Sequence, residues 1–291
     1  MKEDTLANFA DDNTPHAVGD DIETVLESLK IDTNVLTEWF KNNYFKMNAD
    51  KCKLIVTKAN EDISLEVDGH FINGSKSVKL LGVTIDNKLD FNDHVSMLYK
   101  KASLKFHALA RVARFMSKEK LRLLMKAFIE SQFGYCQLIW MFHGKALNNK
   151  INRLHERALR LVYNDNLSTF EQLLSTDKSF SVHHRNIQSL AIELYKVQNN
   201  LSPRFMNSIF KITDKRYNLR YNSTFRTSNI RTVYYGSETL SYRGPQIWKT
   251  IPNEIKMSSS LIEFKTKIKK WTPTNCKCRI CKTYIVNLGI L

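Results

Sequence analysis

Asp11 and Asp12 are adjacent carboxylates at the end of a short run, Leu6-Ala7-Asn8-Phe9-Ala10, and Asn13, Thr14 and Pro15 follow them. A run that stops in acids and then turn formers predicts a strand that reverses, with both acids at a hairpin tip. Neighbouring carboxylates repel each other unless a cation sits between them. Hard oxygen ligands suit Mg2+, which takes one or two protein carboxylates and completes its shell with substrate phosphates. The pair therefore fits a magnesium-dependent phosphoryl or nucleotidyl transfer. It fits a solvated loop as well, because Asp and Asn favour turns for purely local reasons.

A second group lies at the other end of the chain, where Cys276, Cys278 and Cys281 place three thiols within six residues. A structural zinc ion takes four ligands, and no His or Cys follows Cys281. His70, His94, His107 or another remote side chain would have to complete a Zn2+ site; a reactive tail is the other reading. His183 and His184 are neighbours, so on a helix they point in different directions, and a wet surface is expected for them rather than joint ligation.

The charge balance narrows the partners. Lys and Arg number 44 against 29 Asp and Glu, a net charge of +15 over 291 residues. Such an excess suits a polyanion, nucleic acid first and an anionic membrane surface second, although it also serves solubility. Between residues 211 and 234, Lys211, Lys215, Arg216, Arg220, Arg226 and Arg231 alternate with Tyr217, Tyr221, Phe225 and Tyr234. Charge for phosphate and a ring for a base is what single-stranded nucleic acid requires; a hairpin core would use the same rings. The N-terminus is too charged for a signal peptide, and the longest strongly apolar run, Leu138 to Phe142, is too short to cross a bilayer. The chain reads as soluble and intracellular, with no membrane partner, and five cysteines do not suit a secreted disulfide scaffold.

The elements that must position these residues are legible from periodicity. Ile22, Val25, Leu26, Leu29, Val35, Leu36, Trp39 and Phe40 recur at helical spacing, and Asp20 with Glu23 predicts a capped start to a helix over 21–42. Leu54-Ile55-Val56 predicts a strand. Asp68-Gly69 predicts the tight turn of a hairpin, and 78–86 predicts a further strand whose Gly82 marks a bulge or a close approach. One helix on a small antiparallel sheet is an α+β arrangement.

From Asn92 onward the pattern changes to long basic helices. Val95, Leu98, Ala102, Phe106 and Leu109 form a stripe, and Lys100, Lys101, Lys105, Arg111 and Arg114 ride largely outside it. Ser117 opens a second helix, and a third runs from about 147 to 163, so that 91–165 forms a basic bundle. Ser168 and Glu171 predict a capping box, 182–198 a further helix, Gly244-Pro245 a turn and Ser260 a last helix. The expected organisation is 1–90, 91–165, a mixed region 166–272 and a cysteine-containing tail 273–291.

Taken in order, Phe9-Ala10-Asp11-Asp12, Trp39-Phe40, Asn48-Ala49-Asp50-Lys51, Leu80-Leu81-Gly82-Val83-Thr84-Ile85-Asp86, Tyr135-Cys136-Gln137-Leu138-Ile139-Trp140, Gly244-Pro245-Gln246-Ile247-Trp248 and the terminal Cys-x-Cys-x-x-Cys resemble the C-terminal half of the reverse transcriptase of non-LTR retrotransposons of the LINE or jockey-like type. The resemblance covers essentially the whole chain.

It implies a palm remnant, a thumb and a tail of an RNA-directed DNA polymerase. Asp11 would ligate the catalytic Mg2+ ions with Asp12 beside it, and Lys51 would protonate the departing pyrophosphate. Leu81 and Gly82 would form the primer grip, and the basic helices would clasp the hybrid of RNA template and DNA primer. Other retrotransposon-encoded chains are further partners it admits. In that family a second metal-binding Asp and the fingers precede the acidic hairpin, whereas ten residues precede Asp11 here. The expectation is therefore a fragment that cannot polymerise by itself. A non-catalytic nucleic-acid-binding protein derived from such an element is the alternative, and an interaction module using its cysteine tail is a third.

Overall fold

Local chemistry fixes the first elements of the chain. The computed structural model describes residues 5–57, 63–213, 224–230, 232, 236–273, 278 and 280–281. Strands β1 (Thr5–Phe9) and β2 (Asp12–His16) pair antiparallel with Phe9 opposite Asp12. Ala10 and Asp11 are thus the whole turn, and Ala10 takes a left-handed backbone at φ 53°.

Helix α1 (Ile22–Asn42) starts one residue later than expected. Asp21, not Asp20, is its N-cap and accepts from the Thr24 N–H at 2.9 Å. The apolar stripe of α1 is only partly covered: Val35 and Trp39 are exposed, and Thr33 and Thr37 are buried instead. Burying them is cheap because each hydroxyl donates to a carbonyl of its own helix, Thr33 to Leu29 O at 2.8 Å and Thr37 to Asn34 O at 2.9 Å.

Two further hairpins follow. In β3 (Ser64–Val67) and β4 (His70–Asn73), Leu65 and Val67 point to one face with Leu54, and Leu29 of α1 packs against that cluster. Their turn residues, Asp68 at φ 50° and Gly69 at φ 75°, are both left-handed, as the tight two-residue turn demands. The stretch expected as one strand over 78–86 is itself a hairpin, β5 (Ser77–Leu80) and β6 (Val83–Asp86), turned at Leu81 and Gly82. Leu54-Ile55-Val56 contributes one bridge, Leu54 to Gly74, rather than a strand. Among the described residues the strands pair as three separate hairpins. Each strand is four or five residues long, and each hairpin closes its own ladder through its own turn. With the helices below, this is the α+β class.

The remaining elements are helical: α2 (Asn92–Val112), α3 (Lys118–Leu124), α4 (Gln137–Trp140), α5 (Lys145–Tyr163), α6 (Phe170–Asp177), α7 (Val182–Gln198), α8 (Met206–Ile209), α9 (Leu240–Thr250), α10 (Asn253–Lys256) and α11 (Leu261–Ile268). A π-helical turn, Met125–Ile129, and a 3-10 turn, Glu130–Phe133, continue α3. Ser117, Ser181 and Ser260 cap α3, α7 and α11. The capping box of α6 is Thr169 with Gln172, one residue on from the expected pair.

The chain divides into two units, Met1–His94 and Val95–Leu291. In the second, α7 runs through a core with Phe210, Phe225, Trp248, Phe264, Cys278 and Ile280. Gly244 and Pro245 lie inside α9 rather than in a turn. The missing side chain of Gly244 admits the Phe210 ring, so the dipeptide serves packing.

Candidate functional site

Built from the residues upward, the acidic hairpin is a simple device. Antiparallel pairing brings β1 back on itself and leaves Asp11 in the turn and Asp12 as the first residue of β2, both exposed. Asn13 Nδ2 donates to the Asp11 carbonyl at 3.2 Å and steadies the tip. Neither carboxylate is hydrogen-bonded or ion-paired among the described residues, so both present their oxygens outward. Lys51 ends a 3-10 turn, Ala49–Lys51, and is likewise exposed and unpaired among the described residues. Among the described residues no hydrogen bond or ion pair joins it to either acid. Beside that turn lies an open depression of about 390 Å3, bordered by Asp50, Cys52, Lys53, His70, Asn73 and Ser75.

The Leu81-Gly82 tip is exposed, with Leu81 at φ 44° and Gly82 at φ 85°. A leucine in this region is strained, because its Cβ approaches the following carbonyl. Below the tip, the buried Asp86 organises the entry to α2. Its carboxylate accepts the N–H groups of Lys88 at 3.0 Å, Asp90 at 3.2 Å and Phe91 at 2.8 Å. His94 is buried, and its Nδ1 accepts from the Thr84 N–H at 3.2 Å, tying the start of α2 to β6. Asp86 had no assigned role in the sequence reading; an Asp followed by Asn87-Lys88-Leu89-Asp90 is a turn pattern that could have suggested one.

The basic residues are placed as follows. Lys100, Lys101 and Arg111 lie exposed on α2, Lys105 is partly covered, and Arg114 follows the helix with its guanidinium 4.6 Å from the exposed Phe115 ring. Arg226 is exposed next to Phe225. Phe225 itself is buried edge-on to Trp248 at 5.6 Å, so this ring of the basic and aromatic stretch belongs to the core and not to a base-stacking surface. Arg220, Arg231 and Cys276 lie outside the described residues, as do Tyr217, Tyr221 and Tyr234.

Two polar clusters are buried in the second unit. The Asp177 carboxylate, fully covered, accepts from Arg122 Nε at 2.5 Å and from the Tyr163 hydroxyl at 2.8 Å. Glu130 is paired with Arg185 and lies 3.2 Å from His155 Nε2. Burial pushes the Glu130 carboxyl up, but the His155 and Arg185 partners together outweigh it and hold the group at about 2.

His183 is buried, contrary to the wet surface expected for it, with its Nε2 3.3 Å from Cys278 Sγ. The first turn of α7 directs it into the core because Val182, Asn186 and Ile187 share its burial. Burial pushes the half-covered His184 down to about 4, with the His183 ring adding to the effect and Cys278 opposing it. His183, Cys278 and Cys281 bring their donor atoms within 4.8 Å of one another. Among the described residues no other His, Cys, Asp or Glu group gathers in this way, and Asp11 and Asp12 are not part of one. No described helix is long and apolar enough to cross a membrane.

Comparison with known proteins sets these features in context. The chain is 27% identical over 171 residues to the RNA-directed DNA polymerase from mobile element jockey of Drosophila melanogaster, a match covering 55% of this chain and 18% of that protein. It is 23% identical over 164 residues to the probable RNA-directed DNA polymerase from transposon BS of the same organism, covering 54% of this chain and again 18% of the relative. The matched part thus spans under a fifth of the length of these curated relatives, and the relationship to non-LTR retrotransposon polymerases is distant and partial. No family model and no solved structure matches the chain.

Proposed function

We propose that this chain, distantly similar over about half its length to two retrotransposon RNA-directed DNA polymerases, is the palm-hairpin, thumb and tail portion of a non-LTR retrotransposon reverse transcriptase. Its work in that reading is to hold an RNA template with its DNA primer, or the hybrid they form. The observation that carries it is the state of two exposed hairpin tips. Ala10 and Leu81 both hold a left-handed backbone, at φ 53° and 44°. A non-glycine residue in that region costs about 1–3 kcal/mol and is held there by the flanking strand pairing, which leaves both tips exposed to a ligand.

Each tip then has a task. The Ala10-Asp11 turn thrusts two carboxylates outward, where Asp11 ligates Mg2+ and Asp12 adds negative charge beside it. Mg2+ would neutralise the charge developing on the phosphates and lower the pKa of the attacking hydroxyl. The exposed Leu81-Gly82 tip, with no side chain at Gly82, lets the primer end approach closely. Lys51 donates a proton to the leaving pyrophosphate. Lys100, Lys101, Lys105, Arg111 and Arg114 hold phosphates of the hybrid, and the exposed Arg226 adds a further positive charge, with Arg220 and Arg231 near it in sequence.

A two-metal site needs oxygens from both sides of the ions, and one hairpin tip supplies one side. The chain by itself is therefore inactive or nearly so in nucleotidyl transfer while still binding hybrid. Primer extension on an RNA template with Mg2+, beside hybrid binding at low salt, tests this. Expected is binding without extension. Extension that survives Asp11→Asn with Asp12→Asn would reject the magnesium assignment, and failure to bind either single strands or hybrid would reject the reading altogether.

A further inference from the structure

We infer that His183, Cys278 and Cys281 hold a structural zinc ion that fastens the C-terminal segment to the first turn of α7. The inference stands apart from the polymerase reading. It uses three side chains that nucleotidyl transfer does not require, two of them 95 and 98 positions from the third in sequence.

The geometry is that of a ligand set. Around a tetrahedral zinc, with Zn–S of about 2.3 Å and Zn–N of about 2.0 Å, sulfur and nitrogen donors stand roughly 3.5–3.8 Å apart. Here His183 Nε2 and Cys278 Sγ are 3.3 Å apart, and all three donor atoms lie within 4.8 Å of one another. The Cys281 N–H donates to Cys278 Sγ at 3.4 Å, so the two cysteines are already held together by the backbone between them. No disulfide joins the described cysteines, so neither sulfur is consumed by oxidation. Soft thiolates with one imidazole select zinc over the hard cations that carboxylates bind.

Two other uses of a His and two Cys are less consistent with the surroundings. A nucleophilic Cys–His pair must meet a substrate, but Cys278 is 0% and His183 2% exposed. A purely apolar role leaves the imidazole unexplained: His183 Nε2 faces Cys278 Sγ at 3.3 Å inside the core, and a polar ring so placed is costly unless something binds that edge. A zinc ion on Nε2 supplies that binding. Ile280, between the two sulfurs in sequence, is buried in the core around α7, so the ion would hold an apolar plug in place as well as the strand of chain that carries it.

The test uses the full chain. Purified protein, stripped with a chelator and returned to Zn2+, is expected to take up one zinc per chain and to melt at a higher temperature than the stripped form. With Co2+ in place of zinc, a tetrahedral spectrum with thiolate-to-metal bands is expected. His183→Ala, Cys278→Ser and Cys281→Ser should each weaken zinc binding at least tenfold, and His183→Cys should restore it. Because a variant can fail to fold, release of zinc from the unaltered chain is also followed as its thiols are titrated with a mercurial; the metal should leave as the sulfurs are consumed. No stoichiometric zinc in the unaltered chain, or full retention with an unchanged cobalt spectrum in His183→Ala, overturns the inference.

Discussion

The Phe210 ring occupies the space beside the backbone of Gly244: a Cβ added to residue 244 would lie 2.5 Å from its Cε1. Phe210 is fully buried and meets Phe225 edge-on at 6.4 Å. The ring therefore cannot swing aside as an exposed side chain would. Gly244→Ala is expected to destabilise the second unit by about 1–3 kcal/mol, the usual cost of overpacking. Urea unfolding monitored by tryptophan fluorescence measures it. An unchanged midpoint would mean that α9 shifts freely and that the glycine has another purpose.

Glu130 makes stability depend on acid. Its carboxyl sits at about 2 in the folded protein against an ordinary 4.5. A depressed carboxylate contributes fully above its unfolded pKa, and the contribution is lost as pH falls from about 4.5 toward 2. The size at neutral pH is on the order of 3 kcal/mol. Unfolding midpoints measured across that window should fall steeply for the unaltered chain and less steeply for Glu130→Gln. Parallel acid limbs for the two proteins would contradict the assignment.

Leu81 carries a conformational penalty that a better turn former would remove. Asn tolerates φ near 44°, so Leu81→Asn should stabilise the β5–β6 hairpin by about 1 kcal/mol. If the tip supports a primer end, the same change should weaken binding of a recessed hybrid more than binding of a blunt duplex. Equal effects on both ligands would remove the tip from the binding surface.

Phosphate contacts make affinity for nucleic acid fall with salt, by roughly 0.7–0.9 log units per tenfold rise in salt for each contact. Replacing Lys100, Lys101, Arg111 and Arg114 with Ala should flatten the slope of hybrid binding by up to about 3.6 in log units. A slope that does not change would place the binding surface elsewhere on the molecule.

Features set by a few neighbouring residues were readable in the sequence. Asp68-Gly69 specifies its turn because both positions need a left-handed backbone, and Ser117 and Ser260 mark helix starts because each hydroxyl meets an N–H within the next turn. Errors of one residue, Asp20 for Asp21 and Ser168 for Thr169, arose where adjacent residues can cap equally well. Val78 to Asp86 was harder: a Leu at φ 44° is unfavourable, so local preference argued against the turn that forms there. The pairing of β5 with β6 overrides it.

What the sequence settles by itself is the long helices, the Asp68-Gly69 hairpin, the position of two acids at a tip and the basic character of α2, since all of these follow from spacing within a turn or two of chain. Only the tertiary structure decided that Thr33 and Thr37 are buried while Val35 and Trp39 are exposed, and that His183 lies against Cys278 across 95 residues. The reason is physical: periodicity tells which residues share a face, but not which faces find a partner, and no local rule brings together side chains so far apart along the chain.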